Sequence, residues 1–245
     1  SDVYSASLPK DRQGEVYHRY VLGLYELMER ITSAFPDVLF EGCSGGGGRF
    51  DAGFAYYMPQ IWTSDNTDAV SRLTIQYGTS LVYPISMTTA HVSAIPNHQT
   101  GRKTSFETRG NAAMSAVFGY ELDLTKMSQE DKDQVKEQVA CYKEIRKLIQ
   151  YGNFYRLKSP VETNQAAWMF VSDDKRDVCV MTFQVLAFAQ PCLTKTKLFG
   201  LDPELEYENL ETHEIFGGDE LMELGFYDPI VHQDYTSKMY RFKGI

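Results

Sequence analysis

Apolar residues at Val16, Tyr20, Val21, Leu24, Leu27, Met28 and Ile31 recur at three- and four-residue spacing, which predicts one helix from about Glu15 to Phe35, stopped by Pro36. "VLFEGC" (38–43) then reads as a short buried strand, with a glycine run directly behind it as its loop. "IWTSD" (61–65) predicts a second strand and "TDAVSRLTIQYG" (67–78) a helix ended by Gly78. "SLVYPISM" (80–87) predicts a third strand, followed by the polar loop "HVSAIPNHQTGR". A helix over "SFETRGNAAMSAVFG" (105–119) and a strand over "YELDL" (120–124) come next. The clearest helix begins at Ser128, which forms a capping-box pattern with Asp131, and Val135, Val139, Tyr142, Ile145 and Ile149 line one of its faces.

The pattern changes near Gly152. "AAWMFVS", "DVCVMTFQVLAFA", "KTKLFGL" and "SKMYRFKGI" are β-rich runs separated by turn residues. Residues 1–152 therefore predict alternating α and β units, which favour parallel strands, and residues 153–245 an antiparallel β-sandwich-like domain. About four βα units fit in the first part, whereas a closed (β/α)₈ TIM barrel has eight. The expected fold class is half of such a barrel followed by the β domain.

The 245 residues carry a net charge of −9 with acidic groups spread along the chain. That argues against nucleic acid or an anionic membrane surface as partner. No apolar stretch reaches the ~20 residues of a membrane span, and no signal-peptide pattern opens the chain. The cysteines, Cys43, Cys141, Cys179 and Cys192, show no C-x-x-C spacing and are too few for a disulfide scaffold, which points to a cytoplasmic setting. The last three read as structural thiols, and Cys43, beside the glycines, stands apart. The 16 Tyr, 14 Phe and 2 Trp are mostly core, although such rings also line sugar-binding clefts.

Four glycines, Gly45 to Gly48, follow Cys43 and Ser44. No Gly-Lys-Ser/Thr follows, and Phe50 stands where a dinucleotide fingerprint needs glycine, so neither phosphate motif fits. What remains is a tight loop at the C-terminal end of a strand, with backbone open to a ligand, against the alternative of a turn imposed by packing. Arg49 and Asp51 flank it as an internal ion pair or as substrate contacts. In "WTSDNTDA" (62–69), Asp65 falls at a strand end three residues after Trp62, the setting of a general acid. Asp68 falls at the start of the next helix, where a carboxylate stabilises the dipole. His91 and His98 read as hydrogen-bonded loop residues, with no third ligand spaced for a metal. Trp168 reads as core.

Together, "DRQGEVYHRY", "LFEGCSGGGGRFDAGFAYYMPQIWTSDNTDA", "RLTIQYGTSLVYP", "HVSAIPNHQTGR", "TRGNAAM" and "FGYELD" resemble bacterial α-galactosidases of glycoside hydrolase family 36. The resemblance is dense from residue 11 to 124 and thinner in the β-rich part. It implies a retaining enzyme that removes terminal α-1,6-linked galactose from melibiose, raffinose and stachyose. It also implies an N-terminal β-supersandwich, a central barrel, a C-terminal β domain, a homotetramer, and no metal or cofactor. The aspartate of the family's Ser-Asp-x-Thr-Asp motif, its acid/base, maps onto Asp65, and Cys43 and Gly45 map onto the loop that contacts galactose. Trp62 is a further candidate for holding the sugar.

One departure stands out. The family nucleophile lies in a Trp-Asp-x-Asn-Arg motif upstream of the segment matched here, and neither Trp62 nor Trp168 is followed by Asp. The resemblance therefore implies the C-terminal portion of a larger enzyme, inactive without its missing N-terminal half. Two other readings stay open: a galactosyl-transferring enzyme of the raffinose-synthase type, and a non-catalytic sugar-binding or assembly protein.

Overall fold

The computed structural model of the chain describes residues 4–46, 48, 50–191, 193–229 and 231–245. The chain divides into two compact units, residues 1–62 and 63–245.

In the first unit a 3₁₀ turn (Lys10–Arg12) leads into α1 (Glu15–Ala34), the helix its periodicity predicts. Glu15 accepts from Arg19 at 2.9 Å one turn on and also pairs with Arg12. Then follow β1 (Glu41–Gly42), α2 (Ala52–Tyr57) and β2 (Gln60–Trp62). β1 and β2 are parallel, with Gly42 opposite Ile61. Gly42 is where the unit is tightest: a Cβ there would lie 2.7 Å from Cε1 of Phe54, and it would overlap the side chain of Ile61 as well. The predicted strand over 38–43 shrinks to two residues. After α1 the chain is still turning, with Val38 N–H donating to the Phe35 carbonyl, and Val38 and Leu39 are exposed. The stripe of α1 is only half-buried, and no residue of the helix is fully buried.

The second unit opens with α3 (Ala69–Thr79), β3 (Thr88–Ser93), α4 (Phe106–Met114), β4 (Val117–Glu121) and α5 (Gln129–Tyr151). β3 and β4 are parallel, with Thr89 opposite Val117, and α4 connects them as a βαβ crossover. The third strand thus falls at 88–93 rather than 80–87. Residues 81–83 continue the turn that ends α3, Pro84 precedes a 3₁₀ turn (Ile85–Met87), and Leu81 and Val82 are exposed. The strand is "TTAHVS", polar in letters but almost wholly buried, and its β-branched threonines suit the extended backbone. The helix predicted to run to residue 119 stops at Met114. Val117 and Phe118 already belong to β4, where the Phe118 ring packs 4.9 Å from that of Tyr142. α5 is capped as its sequence predicts, Ser128 Oγ accepting from Asp131 N–H, and it buries Ile145 and Ile149.

The β-rich run contains β5 (Asn153–Lys158), β6 (Gln165–Val171), β7 (Asp177–Gln184), β8 (Lys195–Thr196), β9 (Glu206–Asn209), β10 (Ile215–Gly217), α6 (Gly218–Glu223), β11 (Phe226–Tyr227) and β12 (Thr236–Gly244). Six of the strands form one antiparallel sheet in the order β10-β9-β12-β7-β6-β5, and β8 pairs with β11. β6 and β7 alternate sides between two cores. Ala166, Trp168, Phe170, Cys179, Met181 and Phe183 join α3, α4 and α5 on one side. Met169, Val171, Val178 and Val180 join Leu198, Leu221, Phe226 and Phe242 on the other. Parallel βα units followed by an antiparallel β domain are the expected class. Among the described residues no helix is long and apolar enough to cross a membrane.

Because α1 buries nothing fully while β6 and β7 are buried on both faces, their amides differ in the cost of local opening. Hydrogen exchange followed by mass spectrometry should label α1 at least about tenfold sooner than β6 and β7, a gap of ~1.4 kcal/mol in opening free energy. Equal protection would contradict this.

Candidate active site

The glycine loop follows β1 in the first unit. Gly45 and Gly46 have φ of +60° and +75°, the left-handed region where a side chain is strained, and a Cβ on Gly45 would meet nothing within 4 Å. Gly48 N–H closes the turn onto the Ser44 carbonyl at 3.0 Å. Cys43 is exposed at the start of the loop, and Trp62 is the half-buried last residue of β2. Asp51 anchors the other end of the loop: its Oδ1 accepts from Phe54 N–H at 2.7 Å, capping α2, and from the Tyr25 hydroxyl of α1 at 2.8 Å. That bond is the first cause of the raised pKa of Tyr25. Arg49, expected either to pair with Asp51 or to contact substrate, lies outside the described residues, as do Gly47 and Cys192.

Asp65 belongs to the second unit. It is exposed, three residues past β2, on a segment pinned at nearly every neighbour. Ser64 Oγ accepts from Asn66 N–H at 3.1 Å, and Asn66 Oδ1 accepts from Asp68 N–H at 3.0 Å. The Thr67 carbonyl accepts from Ser93 Oγ of β3 at 3.1 Å, and Thr67 Oγ1 accepts from the buried Asn97 at 3.0 Å. Arg72 of α3, 2% exposed, reaches back to donate to the Ser64 carbonyl and to Thr63 Oγ1. Burial pulls this guanidinium down to about 10, while the nearby charges of Glu121 and Asp65 act to raise it.

Asp68 closes the segment. It is the N-cap of α3, its Oδ2 accepting from both Ser71 N–H and Ser71 Oγ at 2.9 Å, so its role exceeds that of a first-turn acid facing the dipole. The same oxygen pairs with Arg102, while Oδ1 is buried without a partner. Arg102 lies with its guanidinium 5.0 Å from the centre of the Tyr235 ring. Tyr235, just before β12, has φ of +56°, and its carbonyl accepts from Thr108 Oγ1 of α4 at 2.9 Å. The antiparallel sheet thus supports the Asp65 segment through Arg102.

Of the candidates, Cys43 and Gly45 share one loop, Trp62 ends the next strand of the same unit, and Asp65 lies in the other unit. His91, expected in a loop, sits within β3 with its ring against Gly119, where a Cβ would come 2.6 Å from the imidazole Cδ2. His98 is exposed on the loop beyond. Sequence reading missed Arg72, Asn97, Arg102 and Tyr235. Gly101, with φ of +67° in the turn closed by Asn97, was a legible local sign of an ordered loop. The pairing of Arg102 with Asp68, 34 residues apart, leaves no local trace.

A carboxylate on an anchored loop after a strand, in a chain of βα units, has the placement that (β/α) barrels give to the loops at the C-terminal ends of their strands. A family model for melibiase matches residues 1–152, and one for the glycosyl hydrolase family 36 C-terminal domain matches residues 165–242. The chain belongs to this family. It is 69% identical over its whole length to alpha-galactosidase 1 of Pediococcus pentosaceus, covering 33% of that protein, and 58% identical to alpha-galactosidase AgaA of Geobacillus stearothermophilus, covering 34%. A crystal structure of a variant of AgaA in complex with raffinose superposes on the whole chain with a TM-score of 0.96 at 56% identity, and the chain covers 34% of it. A Lactobacillus brevis alpha-galactosidase structure gives 0.96 at 45%, again with 34% covered. The chain spans about a third of the length of these relatives.

Two measurements check the geometry. Asp68→Ala removes a cap and leaves Arg102 without its carboxylate, so it should cost about 2–3 kcal/mol of stability in denaturant unfolding, more than a dipole contact alone. Iodoacetamide at pH 8 should alkylate the exposed Cys43 well before Cys179, whose thiol burial pushes up to about 12, as read by peptide mapping.

Proposed function

We propose that the chain is the acid/base-bearing portion of a retaining α-galactosidase acting on terminal α-1,6-linked galactose of melibiose- and raffinose-type oligosaccharides. Residues 1–152 supply barrel strands and their loops, and residues 153–245 the C-terminal β domain. The observation that carries this reading is the exposed Asp65 on a segment fixed by Arg72, Asn97 and Arg102. The names of the relatives, and structures of AgaA variants with raffinose and with stachyose, support the substrate class.

Retaining hydrolysis needs two carboxyl groups ~5–5.5 Å apart. An aspartate outside these 245 residues attacks the anomeric carbon while Asp65 gives its proton to the departing glycosidic oxygen. Asp65, now a carboxylate, takes a proton from water, whose oxygen displaces the enzyme ester and releases galactose with its configuration retained. Acid catalysis needs a proton donor held at a fixed place, and the pinned segment provides it. Cys43, Gly45 and Trp62 hold the sugar. Gly45, with open space above its backbone, lets a pyranose ring approach where any side chain would intrude.

The test uses the enzyme carrying these residues together with its nucleophile portion. Asp65→Ala should form the galactosyl-enzyme rapidly from a dinitrophenyl α-galactoside, whose leaving group needs no proton, and then stall. Azide should restore turnover and yield an α-galactosyl azide. Azide rescue of Asp68→Ala, without rescue of Asp65→Ala, would overturn the assignment.

A further inference from the structure

The antiparallel sheet carries a cavity of about 340 Å³ at the end where β6 starts and β7 finishes. That is within the usual ~300–1,000 Å³ range of small-molecule sites. Its polar lining is dominated by carboxamides: Asn164, Gln165, Gln184 and Gln190, with Asp228 behind them and Phe188 at the side. Gln165 and Gln184 are direct cross-strand neighbours, so the sheet register itself places two amides together.

The hydrogen-bond inventory of these groups is half spent. Gln165 Oε1 accepts from Lys158 at 3.2 Å, leaving its NH₂ to donate. Gln184 uses its NH₂ on the Val231 and Gln233 carbonyls at 2.8 and 2.9 Å, leaving its oxygen to accept. Asp228 Oδ2 takes Lys158 at 3.1 Å and the Thr196 hydroxyl. The Tyr240 hydroxyl stands beside this carboxylate, kept protonated by burial and by the Asp228 charge.

The ligand chemistry follows from what the lining offers. Lys158 is committed to Asp228 and Gln165, so no amine is left for a phosphate. The one carboxylate is neutralised by that same lysine, so a cation gains little. Donors and acceptors in alternation, beside the half-exposed ring of Phe188 and the flat face of Pro191, suit a ligand with hydroxyls on its edge and C–H groups on its face. We infer that this cavity is a second carbohydrate site, which binds a neutral oligosaccharide without cleaving it. It rests on the second unit alone and is independent of the α-galactosidase assignment.

Titration of the 245-residue chain with raffinose and with maltotriose, by calorimetry or protein-observed NMR, tests it against inorganic phosphate as the control. At least one of the two sugars should bind and phosphate should not. Asn164→Ala combined with Gln190→Ala should weaken binding about tenfold or more at an unchanged melting temperature. Phe188→Ala, a second exposed position, should weaken it similarly, and Asp65→Ala should leave it unchanged. Absence of sugar binding, unaltered affinity in the Asn164/Gln190 and Phe188 variants, or loss of binding in Asp65→Ala would each overturn the inference, as would phosphate displacing the sugar.

Discussion

A carboxylate removed from water must be repaid by donors, and the Asp68 side chain, 1% exposed, imposes that requirement on its surroundings. Oδ2 collects the N–H and hydroxyl of Ser71 and the guanidinium of Arg102. Each donor carries a structural message. Ser71 fixes where α3 begins, and Arg102 fixes where the loop after β3 passes. Asp65, three residues before, lies on the segment that these bonds hold in place. Arg72 adds the opposite case, a buried cation that donates to the carbonyls of Ser64 and Thr89. The site is therefore framed by two buried charges of opposite sign, one at each end of a six-residue segment.

The sheet behind them serves two cores at once. Because β6 and β7 bury both faces, Trp168 packs toward the helices, with its ring 5.0 Å from Phe183, while Met169 packs the other way against Leu198 and Tyr207. A one-residue slip would exchange these sets, so each core enforces the register of the other. Thr108 and Asn111 of α4 bond the start of β12 at the Tyr235 carbonyl and at Ser237 Oγ, which ties βα layer and sheet together. Arg102 stacked on Tyr235 is the outermost of these ties.

Much of this was legible in the chain. The spacing of Val135, Tyr142, Ile145 and Ile149 gave α5, Ser128 its start, and the β-rich runs after Gly152 gave β6, β7 and β12, whereas β5, β9 and β10 fell outside those runs and "KTKLFGL" is strand only at Lys195–Thr196. β3 was not legible, because "TTAHVS" lacks an apolar run and its burial comes from packing between layers rather than from its own hydrophobicity. The exposed Leu81 and Val82 misled for the complementary reason, being apolar residues in a turn. For the candidate site, the motif around Asp65 and the glycine loop stood out as short, contiguous patterns. The residues that hold Asp65 did not, since a bond between positions 68 and 102, or 108 and 235, depends on folding and leaves no periodicity behind.

Tyr235 shows how the support is financed. A non-glycine residue at φ of +56° carries roughly 1–2 kcal/mol of backbone strain. Glycine would relieve that strain but would remove the ring beneath Arg102. Backbone comfort and loop order are thus opposed at one position. A search for heat resistance alone would be drawn to replace this tyrosine, and would loosen Arg102, then Asp68, and with them the loop that presents Asp65.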